Sequence, residues 1–77
     1  MDNIKLANVR KQRGFTQRNM AELMGLSTKS YNRKELCIIE FNRQEISDLA
    51  NILELTIEDI NYIFFNNLIT KRESVMA

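Results

Sequence analysis

The chain contains no proline and no histidine, glycine occurs only at Gly14 and Gly25, and cysteine only at Cys37. Without histidine it lacks the commonest general base and the commonest metal ligand, so neither an enzyme nor a metal or other cofactor is expected. A single cysteine rules out an internal disulfide or a zinc knot. Cys37 is expected to be a small, partly buried apolar residue in a reducing compartment. Long hydrophobic runs are missing too. The stretch Ile60 to Phe65 is interrupted by Asn61 and too short to span a bilayer, and Met1-Asp2-Asn3-Ile4-Lys5 shows no signal peptide. A soluble, cytoplasmic chain with no membrane partner and no legible small-molecule pocket is the expectation.

What is present fits a folded helical domain. Seventy-seven residues, 44% of them hydrophobic and 27% charged, make one domain with a thin core. The net charge of +1 conceals an uneven distribution. Residues 1–36 carry eight basic side chains (Lys5, Arg10, Lys11, Arg13, Arg18, Lys29, Arg33, Lys34) against three acidic ones, a net +5. Residues 37–77 carry three basic and seven acidic, a net −4. A basic half suits a polyanion, and an acidic half suits solubility or a protein partner.

Helix starts are marked by one repeated device. A polar cap for the orphan N–H groups is preceded by an apolar residue and followed, at the fourth helical position, by another that packs on it. The pattern appears at Phe15-Thr16 with Met20, Leu26-Ser27 with Tyr31, Phe41-Asn42 with Ile46, and Leu55-Thr56 with Ile60. Asn42 has Glu45 three residues on, a capping-box arrangement. With an opening helix capped by Asp2 or Asn3, these starts predict five helices near 3–13, 17–24, 28–36, 43–53 and 57–66, and an all-α fold. Met20, Leu23 and Met24 are predicted to line one face of the second helix, and Ile46, Leu49, Ala50 and Leu53 one face of the fourth. The domain is expected over residues 1–69, with a frayed tail over 70–77.

The stretch from Thr16 to Tyr31 has the spacing of a helix-turn-helix, a motif predicted over residues 17–36. Ala21 is small where two helices approach, Gly25 supplies the turn, Leu26 plugs the gap beneath it and Ser27 caps the next helix. Tyr31 then points inward and leaves Thr28, Lys29, Asn32 and Arg33 on the outer face, polar side chains able to reach base edges or phosphates from a major groove. Taken alone, Lys29, Arg33 and Lys34 would read as a solvated helix face, and Arg18 and Lys11 as surface charge. The flanking turn and caps favour the groove-facing reading for Lys29 and Arg33, and leave Thr28 and Asn32 open to either.

These residues resemble the Xre-type, lambdoid phage repressor and Cro-like helix-turn-helix regulators, in their five-helix, lambda-repressor-like form. The similarity runs from about Leu6 through Ile60 and includes Arg10, Arg13, Gly14-Phe15-Thr16-Gln17, Met20-Ala21, Gly25-Leu26-Ser27, Glu35 and Ile46-Leu49-Ala50-Leu53. Tyr31-Asn32-Arg33-Lys34-Glu35, with Phe41 and Glu45, is similar to a prophage-associated branch. The resemblance implies a sequence-specific regulator of transcription, a prophage repressor or Cro-like protein, that acts by occupying a palindromic operator in double-stranded DNA. It implies base contacts from Thr28, Lys29, Asn32 and Arg33, and phosphate contacts from Gln17, Asn42 and Arg43, with Arg18 beside them. Arg10 and Glu35 would form a structural ion pair. Cys37 stands where the family has a glycine after the Glu35 turn, which predicts either strain or a different helix exit. Lys34 replaces an apolar residue.

The apolar set Ile60, Ile63, Phe64, Phe65, Leu68 and Ile69 is wider than one helix face needs. Ile60, Ile63 and Phe64 suit a core-closing fifth helix, whereas Phe65, Leu68 and Ile69 would be exposed on a monomer. The segment 57–69 is therefore expected to make a homodimer. The alternative function is a protein-interaction module, an antitoxin or adaptor, that keeps this fold and uses its acidic, apolar half on a partner.

Overall fold

Each helix begins where a side-chain oxygen can take up N–H groups that the first turn leaves without partners. The computed structural model describes residues 1–65. Within them lie α1 (Asn3–Gln12), α2 (Gln17–Met24), α3 (Thr28–Glu35), α4 (Arg43–Ile52) and α5 (Ile57–Phe64), and no strand. Asp2 Oδ1 accepts from the N–H groups of Ile4 and Lys5 at 3.0 and 3.1 Å. Ser27 Oγ accepts from Ser30 N–H at 3.0 Å. Thr16, Asn42 and Thr56 form capping boxes with Asn19, Glu45 and Asp59. Of these three, only the Asn42–Glu45 box is anticipated in the sequence. Asn19 and Asp59 complete the other two because any side-chain oxygen of that length, three residues on, can reach back to the cap N–H.

The ends of α1 to α4 also share one construction. Just past the last turn an N–H bonds back to the carbonyl five residues earlier: Phe15 to Arg10, Leu26 to Ala21, Ile38 to Arg33 and Leu55 to Ala50, at 2.8–3.1 Å. The intervening residue takes a left-handed conformation, as a Schellman ending requires. That residue is Gly14 or Gly25 at the first two ends, but Cys37 (φ 65°) and Glu54 (φ 53°) at the other two. At Cys37 the strained of the two expected alternatives holds: the glycine geometry is kept without the glycine. Phe15, Leu26 and Leu55 then fold onto the core, as such endings favour, whereas Ile38 is left exposed.

All five helices contribute to the core. Leu6 and Val9 come from α1, Met20 and Ala21 from α2, Tyr31 from α3, Leu49 and Leu53 from the α4 end, and Ile63 from α5. The Tyr31 and Phe41 rings meet tilted, with centroids 6.0 Å apart. The N-terminus is tied to α5 by Asp2 N–H donating to the Ile63 carbonyl at 2.8 Å. Arg13 Nε donates to the Leu53 carbonyl at 3.0 Å and joins the end of α1 to the α4–α5 turn.

Two expectations need correction. Leu23 is 58% exposed. It is offset around α2 from Met20 and Met24, and the face shared with α3 and α4 is filled by Met20, Ala21 and Met24. Cys37 is exposed, not partly buried, because the left-handed turn carries it out to the surface. α1, α3, α4 and α5 also stop one or two residues before the predicted ends, whereas α2 ends at Met24 as predicted.

Candidate functional site

The pairing of α2 with α3 decides which side chains face out. Gly25 has φ 70°, and a Cβ there would meet no atom within 4 Å. It is the backbone conformation, not crowding, that asks for glycine. Leu26 turns under it onto the core, and Ser27 restarts the helix at once. Ala21, 1% exposed, lets the two helices approach.

On α3 the inward positions are Tyr31 and Glu35, one turn apart and both buried. The outward positions Thr28, Lys29 and Arg33 are exposed, and Asn32 is half-buried beside them. The inner face is polar as well as apolar. Arg10, from α1, grips Glu35 in a fork, Nε to Oε2 at 2.8 Å and Nη2 to Oε1 at 3.1 Å. Its Nη1 donates to the Phe15 carbonyl at 2.8 Å. This pair ties α1 to α3 and to the entry of α2. Burial, and next the Glu35 carboxylate beside it, hold the Tyr31 phenol far above its ordinary range, with Arg10 opposing.

Gln17, at the first position of α2, is not aimed at solvent. Its Nε2 donates to Glu35 Oε1 at 3.2 Å, and its Oε1 accepts from Asn32 Nδ2 at 3.0 Å. Arg18 is exposed and pairs with Glu22 at 3.2 Å. Asn42 is exposed, and its side chain serves as the α4 cap. Arg43, next to it, is exposed. Gln17 and Asn32 are thus brought together by direct bonding, Thr28, Lys29 and Arg33 by sharing a face, and Asn42 and Arg43 by opening α4. Phe65 is 45% exposed; Leu68, Ile69 and the tail at 70–77 lie outside the described residues.

The basic side chains of the first half divide into two groups. Arg10, Arg13 and Lys34 are consumed internally, by Glu35, Asp59 and Glu45, and Lys5 lies near Asp2 and 4.2 Å from the Tyr62 ring centroid. Among the described residues no carboxylate comes within ion-pairing reach of Lys11, Lys29, Arg33 or Arg43. The outer face of α3 and the start of α4 therefore carry positive charge that the fold leaves unneutralised.

Sequence reasoning missed the Lys34–Glu45 pair, with Nζ 2.6 and 2.8 Å from the two carboxylate oxygens. It joins the end of α3 to the start of α4. The signal was half present, since Glu45 was identifiable as a capping residue; its second oxygen-to-cation role depends on the path of the loop. Burial alone would raise the Glu45 carboxyl, but the Lys34 hydrogen bond, the Asn42 N–H and the Lys34 charge together hold it below its usual value. Behind this loop a cavity of ≈ 360 Å³ is lined by apolar residues, among them Met1, Ile39, Phe41 and Phe64, together with the charged Lys34 and Glu40. Leu36, Ile38 and Ile39 are exposed on the same loop. Among the described residues there is no group of three or more potential metal-binding side chains, and no helix long and apolar enough to cross a membrane.

No protein-family model, curated protein or solved structure matches the chain.

Proposed function

We propose that this chain is a sequence-specific double-stranded-DNA-binding regulator of transcription, of the helix-turn-helix kind, in which α3 enters the major groove. The observation that carries the reading is the outer face of α3. Thr28, Lys29 and Arg33 are exposed there with no carboxylate neutralising the two cations, while the inner face of the same helix is pinned by Tyr31 and the Arg10–Glu35 pair. Unpaired cations on a rigid helix release counterions from a phosphate backbone and give affinity. Long donor side chains held in fixed register reach base edges and give selectivity. In this reading Arg43 and the capped start of α4, with Arg18 and the orphan N–H groups opening α2, serve as phosphate ligands beside α3. The reading extends to a prophage repressor or Cro-like protein that occupies an operator, and it involves no bond-making chemistry.

The test is the salt dependence of binding to a mixed-sequence duplex, followed by fluorescence anisotropy. About five phosphate contacts give a log–log slope near −4 to −5. Arg43→Ala reduces that slope by about one and weakens all sequences alike, whereas Arg33→Ala relaxes one base position by about 1–3 kcal/mol. If the two variants behave identically, the division between base and phosphate contacts is wrong.

One observation favours a second reading, a protein-interaction module. The exposed Leu36, Ile38 and Ile39 of the α3–α4 loop, with Phe65 across the cavity, form apolar surface that the DNA-facing side does not use. Binding to duplex DNA that is absent or insensitive to salt would transfer the proposal to that surface.

A further inference from the structure

We infer that Glu45 limits the affinity of this chain for DNA by holding the Lys34 ammonium away from phosphates; the inference rests on the DNA-binding reading above. Lys34 follows Arg33 in the last turn of α3, and Glu45 lies in the first turn of α4, two residues after Arg43. The pair therefore links the two turns whose exposed arginines that reading gives to DNA. Lys34 Nζ is 2.6 and 2.8 Å from the two Glu45 oxygens, and the Asn42 N–H donates to Glu45 Oε1 at 2.9 Å. The lysine side chain is 14% exposed and the glutamate side chain 12%.

Whether an ion-paired cation serves a polyanion depends on how readily its own carboxylate lets go. Arg18 and Glu22 supply the contrast: they meet at 3.2 Å with side chains 80% and 66% exposed. Water and salt screen such a pair, which opens at little cost, so a phosphate takes Arg18 over readily. At Lys34 both carboxylate oxygens face the ammonium and water is largely excluded, which strengthens each contact. The capping box holds the carboxylate from its own side, so it does not swing aside with the lysine. A phosphate that drew Lys34 away would leave a part-buried carboxylate without its partner, a costlier state than an exposed contact repays. Lys34 therefore releases no counterions from DNA, despite its place next to Arg33. Glu45→Gln keeps an oxygen for the Asn42 N–H but removes the charge that holds the ammonium. Lys34, on a flexible four-carbon stem, then becomes one more cation for the phosphate backbone. The gain falls on every sequence alike, because phosphate contacts carry no base preference. Glu45 thus keeps the affinity below what the cations of the chain allow, while it holds α3 to α4.

The experiment measures binding to a mixed-sequence duplex by fluorescence anisotropy between about 0.05 and 0.2 M salt. It compares the wild-type chain with Glu45→Gln, with the double variant Lys34→Gln and Glu45→Gln, and with Glu22→Gln. Thermal melting followed by circular dichroism establishes that each is folded. Glu45→Gln is expected to bind roughly three- to tenfold more tightly, with a log–log salt slope steeper by about one. The double variant carries the wild-type net charge and is expected to return to the wild-type affinity and slope. Glu22→Gln makes the same charge change as Glu45→Gln, but its arginine is already available, so its affinity is expected to move by less than about twofold. An unchanged or weaker affinity for folded Glu45→Gln, a gain that persists in the double variant, or an equal gain in Glu22→Gln overturns the inference and leaves DNA binding standing. Should Glu45→Gln fail to fold, the double variant decides the matter. A wild-type slope there upholds the inference, whereas a slope shallower by about one shows that Lys34 already meets a phosphate and overturns it. A folded wild-type chain that binds no duplex overturns the DNA-binding reading as well.

Discussion

Two residues hold backbone conformations that their side chains disfavour. Cys37 and Glu54 sit left-handed at the ends of α3 and α4, where the equivalent positions after α1 and α2 are glycines. A left-handed conformation costs an L-residue about 1–2 kcal/mol, while glycine returns about 0.4–1 kcal/mol through the freedom it gives the unfolded chain. Cys37→Gly and Glu54→Gly should therefore each stabilise by about 0.5–1 kcal/mol, raising Tm by a few degrees in melts under reducing conditions. An unchanged or lower Tm for both would show that their side chains compensate for the strain. The Arg10–Glu35 fork has the opposite character. Arg10→Ala leaves a buried carboxylate without its partner, and the expected loss is about 3–5 kcal/mol. In so small a domain that is a large part of the total stability. Urea titration of Arg10→Ala against the wild type measures it. A loss under 1 kcal/mol would mean that Glu35 is not held by the pair. DNA-binding defects of Arg10 or Glu35 variants should thus be read as scaffold loss unless folding is demonstrated.

At the level of the helices, capping and the Lys34–Glu45 link govern how α3 and α4 are set relative to each other. Glu45 is held below its usual carboxyl value in the folded chain. A depressed folded value adds stability that is complete above the unfolded value, near 4.5, and that drains as pH falls through the lower folded one. Glu45→Gln keeps an oxygen for the capping box but removes the charge. Its urea midpoint should be lower than wild type at neutral pH and converge on it in acid. Parallel pH profiles would contradict the ion pair's role. How much of this was legible is instructive in particulars. The five helix starts were readable because a cap, joined at four of them by an apolar staple, is local, set by residues within five positions. The helix ends were read from Gly14 and Gly25 alone, so the same Schellman geometry at Cys37 and Glu54 showed only as a possible strain at Cys37 and not at all at Glu54. The exposure of Leu23 was misread because a face at three- and four-residue spacing has two flanks, and only packing with α3 and α4 decides which is covered. Thr28, Lys29 and Arg33 were placed outward by helical period relative to Tyr31. The inward bonding of Gln17 to Glu35 and Asn32 was not accessible, since it joins residues 15 and 18 positions apart whose approach depends on the Gly25 turn.

Taken as a whole, the molecule is electrically divided. Lys29 and Arg33 on α3 and Arg43 at the start of α4 have no carboxylate partner among the described residues, while Leu36, Ile38 and Ile39 on the α3–α4 loop and Phe65 at the end of α5 leave apolar side chains exposed. That separation suits a chain that uses one side on DNA and the other on a second copy of itself. Sedimentation at high micromolar concentration, with duplex present, should give a dimer, and a persistent monomer would remove the homodimer from the account. The central claim, that the outer face of α3 is the DNA-reading surface, is tested most directly by amide chemical-shift mapping of the 15N-labelled chain as a duplex is added at physiological salt. Perturbations concentrated at residues 17–18, 28–33 and 42–43 are predicted. Perturbations confined to residues 36–41 and 64–65, or none at all at saturating duplex, would contradict it.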